Sequence, residues 1–138
     1  MKYTAQRHHD ISCGHRIVGH ESNCRHLHGH NYRIHFVCEA ELDNQGRVID
    51  FSIIKSQLCQ WLDEHWDHRM ILWDQDPLAA ALVQLDGSVK LVPFNPTAEN
   101  MAGHLLREVG PAQLQGTGVT LIRCIVEETR KCSATCEL

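Results

Sequence analysis

Three histidines, His15, His28 and His30, stand in an H-x12-H-x-H arrangement. Side chains two residues apart on a strand share a face, so His28 and His30 present two imidazoles to one side. A third imidazole from a neighbouring strand would give three nitrogen donors around one point and leave a fourth position open for water or substrate, as catalytic zinc sites do. Neutral imidazoles favour Zn²⁺, although Fe²⁺, Co²⁺ and Ni²⁺ accept the same donors. The competing reading is a turn in which His28 and His30 only hydrogen-bond. His8, His9, His20, His26, His35 and His104 read as solvated side chains on polar faces or in loops, and His65 as a satisfied member of a helix stripe.

Positioning these imidazoles requires strands, and the alternation supplies them. From 31 to 41 the even positions Tyr32, Ile34, Phe36, Cys38 and Ala40 are apolar or small and the odd ones mostly polar, which predicts a half-buried strand. The same parity carries back to His28 and His30. Upstream, Ile11, Cys13 and His15 share parity in what reads as the first strand of a hairpin, with 14–29 as its long connection. After the Asn44-Gln45-Gly46 turn, Ile54, Leu58, Trp61, Leu62 and His65 fall at helical spacing and predict a helix over 52–66. A second helix should follow Asn95-Pro96-Thr97, bury Ala98, Met101, Ala102, Leu105 and Val109, and end before Gly110-Pro111. A short strand is expected at 89–92. The stretch VTLIRCIVEE within 118–128 is apolar on both parities, which suits a strand covered on both faces. The expected architecture is α+β: one domain, 1–138, with an antiparallel four-stranded sheet and two helices on one face. Its second face, read as apolar, should close against copies of the chain.

Composition narrows the function classes. Lys and Arg number 13 against 17 Asp and Glu, a formal charge of -4, which is the opposite of a nucleic-acid footprint. No apolar run approaches the ~18 residues that span a bilayer, so no membrane role is expected. Seven cysteines, an odd number, behind the polar start MKYTAQRHHD argue for a reduced, cytoplasmic setting rather than a disulfide framework.

Six segments taken together resemble a known family: C-G-H-R at 13–16, C-x3-H-G-H-N at 24–31, V-I-D-F at 48–51, D-H-R at 67–69, N-P-T-A-E-N at 95–100 and V-E-E-T at 126–129. In this order and at these distances the chain is similar to the 6-pyruvoyl-tetrahydropterin synthase and 6-carboxy-tetrahydropterin synthase family of tunnelling-fold enzymes. The resemblance implies the tunnelling fold (T-fold), with sheets of several subunits joined into an oligomeric barrel, a homo-hexamer in the expected case. It implies one Zn²⁺ per subunit on His15, His28 and His30, with Cys24 as catalytic base. Asp67 and His68 would form the proton relay. Glu128 would anchor the pterin ring and join that relay, and Thr97 and Glu99 would make further pterin contacts. A carboxylate suits the anchor because the pterin edge offers two adjacent N–H donors. Three departures stand out: Cys13 where many members carry Ala, the continuation MILWDQDP after Asp67-His68-Arg69, and the pair Cys132 and Cys136.

The implied chemistry begins with 7,8-dihydroneopterin triphosphate, removes a carbon-bound proton and expels triphosphate. The pyruvoyl branch stops there. The carboxy branch also releases acetaldehyde and yields 6-carboxy-5,6,7,8-tetrahydropterin, an intermediate toward queuosine and other 7-deazaguanine nucleosides. The short Cys24-x3-His28 gap resembles the bacterial carboxy branch. Two rivals of other classes are a non-catalytic metal- or pterin-binding homologue, which would need neither Cys24 nor Asp67-His68, and an unrelated zinc hydrolase, against which the absence of H-E-x-x-H counts.

Overall fold

A computed structural model describes residues 1–138. In chain order the elements are β1 (Thr4–His15), β2 (His28–Glu39), helix α1 over 51–65, β3 (Met70–Trp73), α2 (Ala79–Leu85), β4 (Lys90–Val92), helix α3 over 98–113, β5 (Thr120–Glu127) and β6 (Ser133–Glu137). The alternation that predicts the hairpin is its cause. Ile11, Cys13 and His15 of β1 and Tyr32, Ile34, Phe36 and Cys38 of β2 are buried on one face, and the two strands pair antiparallel with His15 opposite His28 and Cys13 opposite His30.

The expected four antiparallel strands form part of a larger sheet. β5 and β6 extend the hairpin antiparallel beyond β2, while β3 and β4 add in parallel beside β1, giving the order β4-β3-β1-β2-β5-β6. Both Ile71 and Leu72 of β3 are buried, so this short apolar run has no alternation to announce it.

Each long helix contains a π-helical turn, Lys55–Cys59 in α1 and Leu105–Val109 in α3. Asp50 caps α1 by accepting the Ser52 N–H, and Thr97 caps α3 by accepting the Asn100 N–H at 3.1 Å. Contrary to expectation, α3 continues through Gly110-Pro111. The Gly110 N–H reaches back to the Leu105 carbonyl, and this widened turn makes room for a proline ring that would press on a regular helix and has no N–H to contribute. Gly110 is also required by packing, because a Cβ there would stand 2.6 Å from Leu121 Cδ2 of β5.

The core lies between the helices and one face of the sheet. Ile54, Leu58, Leu62 and Trp66 on and just after α1 and Met101 and Leu105 of α3 meet Tyr32, Ile34 and Phe36, all essentially without exposure. Burial of each such side chain contributes about 1.5–3 kcal/mol. Leu58→Ala would therefore remove about 2–5 kcal/mol once the cavity is included.

The expected apolar second face is only sparsely apolar. The pairing of β2 with β5 shifts between Val37 and Cys38, leaving Ile122 without a partner. This bulge reverses the strand's parity, so Leu121 and, beyond it, Cys124 and Val126 all face the core. Apolar residues thus occupy both parities of the sequence while one face of the sheet is covered. The open face is mostly polar, with Val37 and Ile125 as apolar members: Asp10 accepts two hydrogen bonds from Arg33, and His35 pairs with Glu127 and packs on His8 with ring centroids 5.5 Å apart.

Candidate active site

His15 ends β1 and His28 and His30 begin β2, on the covered face, and the three offer ligand atoms within 4.8 Å of one another. Backbone carbonyls orient two of them. His15 Nδ1–H donates to the Pro96 carbonyl at 2.7 Å and His28 Nδ1–H to the His26 carbonyl at 2.7 Å, which fixes the tautomers and leaves each Nε2 as a lone pair. His30 Nε2 is buried without a hydrogen bond. Glu128 Oε1 lies 3.2 Å from it but off the hydrogen-bonding direction, so it supplies charge and not a bond.

Loss of hydration lowers the pKa of His15, outweighing the opposing pull of the Pro96 carbonyl and Glu128; the same cause lowers His30 against Glu128. The result is neutral imidazoles, one with an unsatisfied buried nitrogen, beside a carboxylate. A divalent cation fits this donor set. Tyr32 places its hydroxyl 3.2 and 3.3 Å from the two nitrogens of His15, and burial pushes its pKa well up, so the phenol stays protonated.

The other sequence-predicted residues are distributed around this cluster. Cys24 is half-buried in a 3₁₀ turn, Asn23–Arg25, within the connection between β1 and β2. Glu128 follows β5 on the covered side, whereas its neighbour Glu127 pairs with His35 on the open face. Thr97 is the α3 cap, and Glu99 is exposed in the first turn. Cys13 sits opposite His30, and burial, aided by Asp67 and Glu128, pushes its thiol up to about 12.

Asp67 and His68 lie elsewhere. Asp67 accepts the Ser12 N–H at 2.9 Å and pairs with His68 Nδ1 at 2.9 Å, while the His68 N–H donates to the Ser12 carbonyl at 2.6 Å. These bonds hold His68 at φ 58, a left-handed conformation that costs a non-glycine residue about 1–2 kcal/mol. Burial alone would raise the Asp67 pKa, but the Ser12 N–H and His68 outweigh it and hold the carboxylate below its usual range. The two residues border a hollow of the open face with Ser12, Asn31 and Arg33. The His68 ring is 81% exposed. His68 also borders a neighbouring hollow with Gly29 and His30, but within one chain no hydrogen bond or ion pair joins the relay pair to the three imidazoles.

The sequence reading did not single out Arg16, Asp76 and Asn95, which tie loops around the site. Arg16 Nε donates to the buried Asp76 at 2.7 Å, and the Asn95 side chain bonds both the N–H and the carbonyl of Val18 at 3.0 Å. The signal for Asn95 lay in its place before Pro96-Thr97; Arg16 stands in the C-G-H-R motif and Asp76 in the departing MILWDQDP segment, but nothing in the sequence pairs the two.

Three convergent imidazoles at the end of an antiparallel hairpin, flanked by a carboxylate and a thiol-bearing loop, define a metal-ready site on an α+β sheet. Residues 4–138 match the 6-pyruvoyl tetrahydropterin synthase family, and the chain belongs to it. A 6-carboxy-5,6,7,8-tetrahydropterin synthase from Rickettsia felis is 36% identical over 126 residues, covering 89% of this chain and 91% of that protein. Its namesake from Rickettsia bellii is 34% identical over 126 residues with the same coverage. Among solved structures, an uncharacterized protein from Wolinella succinogenes superposes with a TM-score of 0.87 at 26% identity, covering 99% of this chain and 98% of that one. The Caenorhabditis elegans 6-pyruvoyl tetrahydropterin synthase shares the fold, with a TM-score of 0.72 at 22% identity over 100% of this chain and 96% of that one.

Proposed function

We propose that this chain is a zinc-dependent lyase converting 7,8-dihydroneopterin triphosphate and water to 6-carboxy-5,6,7,8-tetrahydropterin, acetaldehyde and triphosphate. The observation that carries the reading is the imidazole cluster with its unsatisfied His30 Nε2 beside Glu128, in a chain whose Rickettsia relatives bear the name of this synthase. His15, His28 and His30 would hold the cation, which when bound supplies Lewis acidity to substrate oxygens. Cys24 removes the carbon-bound proton as a thiolate base. Glu128 accepts the paired N–H donors of the pterin edge, and Thr97 and Glu99 border the ring.

His68, steadied by Asp67, passes protons to and from Cys24 of a neighbouring copy. Its exposure, its enforced backbone and the absence of a bond from it to its own chain's imidazoles support a site completed between subunits, in a homo-oligomer that we take to be a hexamer. With the second face mostly polar, assembly rests on this geometry and on the family, not on an apolar sheet. We place the protein, acting as one unit over 1–138, in the cytoplasm; none of its helices is long and apolar enough to cross a membrane.

Incubation of the zinc-loaded protein with dihydroneopterin triphosphate, followed by mass analysis, tests the reading. The expected product is 6-carboxytetrahydropterin with one acetaldehyde per turnover. Accumulation of 6-pyruvoyltetrahydropterin would move the chain to the pyruvoyl branch, and unchanged substrate would leave a binding homologue.

A further inference from the structure

We infer that Arg16, fixed by Asp76, is the positioning residue that sets where the Cys24 turn stands relative to the three imidazoles. The inference rests on the reading of Cys24 as the base and extends it. The turn Asn23–Arg25 contains no buried residue, and its preceding residue, Ser22, makes no side-chain cap bond. Apolar packing therefore cannot locate it. Two hydrogen bonds from consecutive residues do so instead: Ile17 N–H donates to the Cys24 carbonyl at 2.7 Å, and Arg16 Nη1 donates to the Arg25 carbonyl at 3.2 Å.

Both donors follow His15 directly, so the turn is referenced to a member of the imidazole cluster. The bond from Ile17 is backbone to backbone and moves with the loop. That from Arg16 leads to a fixed point, because the same guanidinium donates through Nε to Asp76 at 2.7 Å. The Asp76 side chain is fully buried, and its other oxygen accepts the Leu78 N–H at 2.8 Å ahead of α2. Asp76 lies in the segment DQDP where this chain departs from the family pattern, so the departure supplies an anchor for the catalytic loop.

A planar fork is needed to reach two acceptors at once, and lysine cannot replace it. Arg16→Lys should keep the charge opposite Asp76 and the fold but release Arg25. The expected result is a fall in kcat of about 10–100-fold, the scale of a 1 Å displacement of a reacting group. KM should stay within about threefold, since the pterin contacts are untouched. Metal content should equal wild type, and the rate of Cys24 alkylation by iodoacetamide, followed by peptide mass analysis, should change severalfold.

The double variant Arg16→Met/Asp76→Leu replaces the buried pair by apolar groups of similar size, a change that folds tolerate, and should show the same loss. Wild-type kcat and wild-type Cys24 alkylation in a folded Arg16→Lys protein would overturn the inference. Cys24→Ala distinguishes the two readings: full turnover there would remove Cys24 as base, while the alkylation rates in the Arg16 variants would still report whether the turn is held.

Discussion

Histidines on the two faces of one sheet have been given opposite fates. On the covered face, His15 and His30 lose hydration and become harder to protonate; His30 Nε2 keeps a lone pair with no protein donor to satisfy it, while His15 has the Tyr32 hydroxyl beside it. On the open face, His35 pairs with Glu127 and accepts company from Gln6 and His8, so its polar atoms are already engaged. Residue type is the same, and strand position differs by a few residues. Readiness for a metal therefore comes from burial that withholds partners, with Pro96 and His26 carbonyls taking up the nitrogens that must not face the ion.

Breaking that contrast should produce the largest effects. His28→Ala should bring bound zinc, measured by elemental analysis of the purified protein, from one per chain to near none, with turnover lost alongside. His35→Ala should retain the metal, because an open-face ion pair of this kind contributes no more than about 1 kcal/mol to stability and nothing to the cluster. Zinc loss in both variants, or in neither, would remove the distinction between the faces.

Cys24→Ala sharpens the comparison on the covered side. It removes the base without touching a ligand, so kcat should fall about 10²–10⁴-fold while zinc stays at one per chain. Retention of more than about a tenth of wild-type kcat would contradict that role.

A mixing experiment joins the two faces. If Cys24 of one chain meets His68 of the next, Cys24→Ala and His68→Ala proteins should each be nearly inactive, yet mixed oligomers should recover roughly a quarter of wild-type activity, because a site then takes one intact group from each kind of chain. A mixture no more active than its parts, after subunit exchange is demonstrated, would place the relay within one chain or nowhere.

What could be read in the sequence followed from periodicity. The hairpin, both long helices and the parity that aligns His15 with His28 and His30 are local patterns. β3 escaped because Ile71 and Leu72 are buried on opposite sides of a short strand, and α3 outran its expected end because a π turn admits Pro111. The second face was misread because a bulge at Ile122 is invisible to a rule that counts by two. Glu128 and Cys24 could be named from the family motifs alone; where His68 stands depends on Ser12 bonding to Asp67 and His68 from far along the chain.

The smallest expected effect concerns His104 at the end of the regular part of α3. Its ring lies 5.0 Å from Phe94 and 6.2 Å from Trp66, and this burial lowers its pKa, with Glu108 opposing and Arg107 and Lys90 assisting. In the unfolded chain the imidazole titrates near ~6.5. Because the folded value is the lower one, the unfolded state takes up the proton first. The stability associated with a neutral His104 is thus fully present above that pH and is lost as pH falls from it toward the folded pKa. His104→Phe should keep the aromatic contacts and remove this dependence. The difference in Tm between pH 7.5 and pH 5, measured by calorimetry on zinc-loaded protein, should be smaller in the variant, each ~1 kcal/mol of this dependence showing as about 4 °C in a chain of this size. An unchanged difference would show that His104 gains a proton without cost, and that the Phe94 and Trp66 rings leave it as wet as His68.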